Sequence, residues 1–182
     1  REAGETGLTA RVAVLGGEGA GVGLGGGAVS AARAEVGADS ALGARAYLAA
    51  GAQVGSGSEL GTAAVIGRNA HVGSGTVIGP DSVIGRSASV GSDVAALLGD
   101  LTLGYGASLG DRCVIDGSFV TLGNLASVGD DCRIGGQTVL ARSATLGDGA
   151  LLGADVVVGP AVSAGPALQC SDGVRVRNVT PF

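Results

Sequence analysis

From Val36 onward an aliphatic residue returns at every sixth position, through Leu42, Leu48, Val54, Leu60, Ile66, Val72, Ile78, Ile84 and Val90. One extra residue then moves the frame to Leu97, Leu103, Leu109 and Ile115. A second, near Thr121, moves it to Leu122, and it runs on through Val128, Ile134, Leu140, Leu146, Leu152, Val158, Ala164 and Cys170 to Val176. The next residue is Gly after 18 of these 24 positions, so the six-residue frame is set by two residue types at once. A period of six matches neither a helix at 3.6 nor a plain strand at 2, and it predicts a short strand followed by a tight corner, repeated. Alternate strand residues face the same side. The fifth residue of one hexad and the first of the next therefore point inward, and the sixth points out. The Gly in second place falls at the corner, where the missing Cβ is expected to admit the backbone angles of the bend.

Three such edges closing a triangular coil of about 18 residues would stack every third hexad on one face. The sequence agrees. Small inward residues Ala34, Ala52, Ala70, Ala88, Ala107, Ala126 and Ala144 form one ladder. First-position Val36, Val54, Val72, Val90 and Val128 form a second, and Leu42, Leu60, Ile78, Leu97, Ile115, Ile134 and Leu152 a third. The expectation is an all-β chain folded as a single parallel β-helix, a β-solenoid, regular over residues 36–182. Residues 1–35 form a glycine-rich N-terminal segment of loose or irregular first coils.

The stretch VGSGTVIGPDSVIGRSASVGSDV, Val72 to Val94, resembles the hexapeptide-repeat family, whose pattern is aliphatic, Gly, two free positions, a small residue and one free position. The resemblance covers residues 36 to 181 and extends weakly back to Val12. It implies a left-handed coil, an exception to the usual right-handed crossover. It also implies, for many members, a trimeric acyltransferase with a catalytic His beside a neighbouring subunit and a long loop that holds the acyl donor. This chain departs from that pattern, with one His and no excursion from the coil longer than a residue.

Composition narrows the function classes. The chain of 182 residues has 37 Gly and an aromatic content of 2%, so its core is built from small, similar layers rather than interlocking rings. A net charge of -5, with eleven Arg spread singly and no Lys, argues against a nucleic-acid partner. No run of 18 apolar residues is present, so no membrane span is expected. The absence of any Met and a start at Arg1 suggest a processed, exported chain, extracellular or at the cell surface.

The candidate chemistry is sparse. His71 occupies an outward sixth position, where an imidazole can serve as general base toward a hydroxyl or amine. It also belongs to a plain polar column with Gln53, Ser89, Ser108, Ser127, Thr145 and Ser163. One His cannot supply the three-His zinc site of family members that resemble carbonic anhydrases, and neither metal nor cofactor is expected. The Asp residues fall at corners, where turn chemistry accounts for them. Cys113 and Cys132 take small inward positions one coil apart, within reach of a disulfide and equally suited to a buried thiol pair.

Outward on the Leu/Ile face, Val65, Val83, Thr102, Val120, Val139 and Val157 form an apolar stripe that suits packing against other copies. Ends without a visible cap, at Val176 and Phe182, suggest end-to-end stacking. Two functions follow. The first is a structural, self-assembling solenoid that forms an extracellular filament or surface layer with itself as partner. The alternative is a trimeric, acyltransferase-like enzyme using His71.

Overall fold

Each hexad becomes one strand of two or three residues and one corner, and successive strands turn onto three faces in rotation. The computed structural model describes residues 13–15 and 21–177. Its strands form three parallel nine-stranded sheets, here called faces A, B and C, with every third strand on the same face. In one coil, His71–Val72 lies on face A, Val77–Ile78 on face B and Val83–Ile84 on face C. Cα partners are mostly 18 residues apart, as in His71↔Ser89 and Val77↔Ala95. Nine coils at about 4.8 Å make a rod about 40 Å long. The fold is thus the expected parallel solenoid. Among the described residues there is no helix, and so none long and apolar enough to cross a membrane. Within the segment before residue 36, strands Ala13–Leu15, Gly23–Leu24 and Val29–Ser30 pair with the coil that follows.

Most second-place glycines are needed for contact rather than for angle. A Cβ on Gly73 would lie 2.5 Å from the backbone carbonyl carbon of Gly91 in the next coil, nearer than real Cβ atoms come. Positive φ falls two residues later, at Gly75, Asp81, Ser87 and Asp93. This corrects the expectation that the first corner glycine absorbs the bend. The left-handed residue is held there by the coil before it: the Gly75 N–H donates to the Ser56 carbonyl at 2.9 Å and the Asp93 N–H to the Ser74 carbonyl at 2.9 Å. That bond helps to offset the cost of positive φ in a residue with a side chain.

Both extra residues sit at the corner between faces B and C, in consecutive coils. Pairing across the first is Ala95↔Val114 and Val83↔Thr102, a step of 19. Here the structure differs from the sequence frame. Ala96, not Leu97, takes the inward place, and Leu97 and Leu98 turn outward with 62% and 60% of their surface exposed. The lost volume is made up in the same coil by Leu101, buried where the three preceding coils place Ala46, Ala64 and Ser82. Close packing tolerates such a swap because the filled volume is kept. The second insertion lies in the corner 117–119 rather than near Thr121. Ser118 Oγ donates to the Leu98 carbonyl at 3.2 Å, which ties the two enlarged corners together.

The core is a column of small and branched side chains, with Ala34, Ala52, Ala70, Ala88, Ala107, Ala126 and Ala144 all buried on face A. On face B the inward small position carries Ser40, Ser58 and Thr76, also buried. Their hydroxyls replace apolar contact with a running hydrogen-bond chain. Ser58 Oγ donates to the Gly73 carbonyl at 2.9 Å and accepts the Thr76 N–H at 3.3 Å; Thr76 Oγ1 donates to the Gly91 carbonyl at 2.8 Å. Among the described residues no buried side-chain polar atom is left without a partner.

Candidate functional site

His71 stands in the outward column of face A, between Gln53 and Ser89, as the sixth-position rule predicts. It is exposed, and it borders a groove of about 280 Å³ whose other polar lining includes Glu35, Gln53, Ser56 and Ser74. Gln53 Nε2 donates to Glu35 Oε2 at 3.1 Å, which fixes the amide one coil from the imidazole. Among the described residues the His71 ring has no hydrogen-bond or ion-pair partner. Its nitrogens are therefore open to a ligand. Farther along the column the groups are hydroxyls, with Ser108 Oγ and Ser127 Oγ 2.9 Å apart. Face A thus presents one imidazole in a row that begins with the Glu35 carboxylate and is otherwise made of neutral hydrogen-bonding groups.

Cys113 and Cys132 are buried, free thiols. They continue the face B hydroxyl chain in sulfur. Cys113 Sγ donates to the Gly129 carbonyl at 3.2 Å and Cys132 Sγ to the Gly147 carbonyl at 3.4 Å, as Ser58 and Thr76 do to the corners beside them. Burial pushes the Cys113 thiol up to about 12 and raises that of Cys132 as well, so both stay protonated and able to donate. Cys170 is free and half-buried.

The aspartates serve the corners. Asp111 Oδ1 accepts the Ser92 N–H at 2.8 Å, Asp130 Oδ1 the Asp111 N–H at 2.9 Å, and Asp148 Oδ1 the Asp130 N–H at 3.0 Å. Asp131 receives a two-pronged contact from Arg112, at 2.7 and 2.8 Å. That contact holds the Asp131 carboxyl below its ordinary range and the Arg112 guanidinium more firmly charged. Arg133 pairs with Asp116. Among the described residues no group of three or more His, Cys, Asp or Glu is placed to hold a metal ion.

On face C the expected outward stripe is present with one correction. Val65, Val83, Thr102, Val139 and Val157 point outward, but Val120 is fully buried and Thr121 takes its place. Val120 pairs with the buried Leu101, so the two inward residues follow from the two insertions. The stripe continues through Tyr47, also exposed. Leu97, Leu98 and Phe119 (64% exposed) flank it on one edge and Tyr105 and Leu125 on the other. Sequence reasoning missed these flanking side chains because their exposure follows from the corner geometry. Val176 is half-buried, and Phe182 lies outside the described residues.

Comparison with known proteins gives two family matches. Residues 33–80 match the hexapeptide repeat of succinyl-transferase, and residues 60–152 match the GMPPB C-terminal domain. Solved structures that resemble the chain include the Arabidopsis UDP-N-acetylglucosamine acyltransferase, at 18% identity and a TM-score of 0.49 over 82% of this chain. The Francisella novicida UDP-N-acetylglucosamine acyltransferase is 16% identical, with a TM-score of 0.42 over 87% of this chain. PerB from Caulobacter crescentus, solved with CoA and GDP-perosamine, is 23% identical, with a TM-score of 0.35 over 74%. The chain spans 64%, 65% and 45% of the lengths of these three. No curated protein matches the chain.

The thiol geometry predicts opposite outcomes for two substitutions. Cys113→Ser keeps a donor for the Gly129 carbonyl and should alter the urea midpoint little. Cys113→Val removes the donor and should destabilise by about 1–3 kcal/mol. The folded thiol is held above its ordinary 9.0, so the unfolded chain binds fewer protons at alkaline pH. Stability should therefore fall as pH rises from the ordinary value toward about 12. Part of that loss should disappear in Cys113→Ser.

Proposed function

This chain belongs to the family of the GMPPB C-terminal domain, and we propose that it acts as an acyltransferase-like solenoid with His71 as general base. The match to the hexapeptide repeat of succinyl-transferase over residues 33–80 supports that class, and it contains the strand His71–Val72. The observation that carries the reading is the placement of the imidazole. The chain has one His, and it stands free at the rim of a groove otherwise lined by an amide, a carboxylate and hydroxyls.

Acyl transfer needs a hydroxyl or amine held near the imidazole and a thioester whose carbonyl it can reach. The base takes the proton as the acceptor attacks. The same imidazolium then returns the proton to the departing thiolate, so the group ends the cycle neutral. Ser56, Ser74 and the free face of Gln53 supply hydrogen bonds that orient a polyhydroxylated or amino acceptor. The substrate class is therefore a polar small molecule carrying a free hydroxyl or amine, and the donor is an acyl thioester.

A second reading is favoured by face C. The outward run Tyr47, Val65, Val83, Val139 and Val157, with Leu97, Leu98 and Phe119 beside it, is an apolar surface of a kind that is usually covered. A second copy of the chain is the partner proposed for it. On that reading the chain is a self-assembling solenoid, in discrete oligomers or in a filament.

His71→Ala should lower the turnover of an acyl thioester with a hydroxyl or amine acceptor by about a hundredfold or more, with thermal unfolding unchanged. Full activity in that variant would remove His71 from the reaction. Replacing Val83 and Val139 together by Lys should shift sedimentation toward the monomer; an unchanged sedimentation profile would take face C out of the assembly.

A further inference from the structure

The first insertion does more than remove Leu97 from the core. It brings the exposed Leu97 side chain to the outer surface of face B, where it lines a groove of about 280 Å³. The rest of the groove crosses the three coils before it. Its floor is Ala41, Glu59 and Val77, the outward residues of adjacent strands in register, with bare backbone beside them where second-place glycines follow. Pro80 and Leu97 form an apolar rim on the side of the corner between faces B and C.

Glu59 stands apart in this setting. The outward places of the five strands around it on face B are Gly23, Ala41, Glu59, Val77 and Ala95, so it carries the one charge of that run. It is exposed, and among the described residues its carboxylate has no hydrogen-bond or ion-pair partner. The corners that flank face B between residues 37 and 100 hold Asp39, Asp81, Asp93 and Asp100 against Arg45 alone. The field over the groove is therefore negative, and it draws cations and repels anions. No other groove described here joins an unpaired carboxylate to an apolar floor and rim.

We propose that this groove binds a protonated primary amine carried on an apolar body, the chemistry of an alkylamine or arylalkylamine. The ammonium donates to the Glu59 carboxylate in a charge-assisted hydrogen bond. The body lies over Val77 toward Pro80 and Leu97, a run of about 10 Å, because two coils separate Glu59 from Leu97. An exposed ion pair contributes little by itself, so binding depends on head and body together. The apolar part leaves water against the alanine, valine, proline and leucine surface, which supplies the larger share. A carboxylate on the same body meets Glu59 and the corner aspartates as a like charge and is turned away. The site lies on face B, away from the His71 column of face A, and does not depend on acyl transfer.

Titration calorimetry on the whole chain at neutral pH and low salt tests this with three probes: n-octylamine below its micelle concentration, ethylamine and octanoate. Octylamine should bind, ethylamine at least about tenfold more weakly for want of apolar contact, and octanoate not at all. Glu59→Gln keeps the shape of the side chain and removes its charge. It should weaken octylamine about fivefold, with circular dichroism unchanged. Leu97→Ser should weaken octylamine while leaving ethylamine as it was. Amide shifts on adding octylamine should centre on Glu59, Val77 and Leu97. His71→Ala should leave the binding intact, which separates failure of the acyl-transfer reading from failure of this one. The proposal is overturned if octylamine does not bind, if Glu59→Gln binds it unchanged, if octanoate binds equally well, or if His71→Ala abolishes the binding.

Discussion

Everything in this molecule depends on successive coils touching backbone to backbone at the corners. The spacing of about 4.8 Å between stacked strands leaves no room for a Cβ at most second places of the hexad, Ala49 and Ala141 being exceptions. Gly73 meets the carbonyl of Gly91 there, and Gly91 in turn meets Gly110 and Asp111. Once that contact is required, the period of the chain is set, because each corner must fall over the one before it. The inward side chains are then confined to what fits in a narrow prism, which explains the alanine ladder and the scarcity of rings in the core.

The same constraint decides which polar groups can be buried. An inward Ser, Thr or Cys beside a corner reaches the carbonyl of the next coil's corner without leaving its own strand. Ser58, Thr76, Cys113 and Cys132 therefore do one job with two elements, oxygen and sulfur. Corner aspartates do the converse from outside and accept N–H groups of the preceding coil. A residue that looks like a redox or metal candidate in sequence thus has a structural task that accounts for its position.

Much of this fold is legible in the sequence, since the hexad places nearly every inward residue by number. What escapes it is local and has a physical cause. Around Ala96-Leu97 and Val120-Thr121 two neighbouring residues are each acceptable at the inward place, so pattern alone cannot fix the frame. Packing decides: Leu101 fills the space that Ala96 leaves, and Val120 stacks on Leu101. The role of the first corner glycine is not legible in sequence because a lack of Cβ serves both torsion and close approach, and only the stacking of the coils separates the two. For the site, the outward position of His71 follows from the period. The company of Glu35, Gln53, Ser56 and Ser74 follows only from stacking, which no run of sequence displays.

The central claim is that each coil is closed onto the next at its glycine corners, and amide hydrogen exchange tests it most directly. Gly55, Gly73, Gly91, Gly110 and Gly129 each donate to a carbonyl one coil on, at 2.8 to 2.9 Å. All five amides should exchange slowly, with protection near that of global unfolding in the middle of the rod. Exchange of these amides at the rate of an unstructured peptide, with protection elsewhere, would contradict the stacked-corner account.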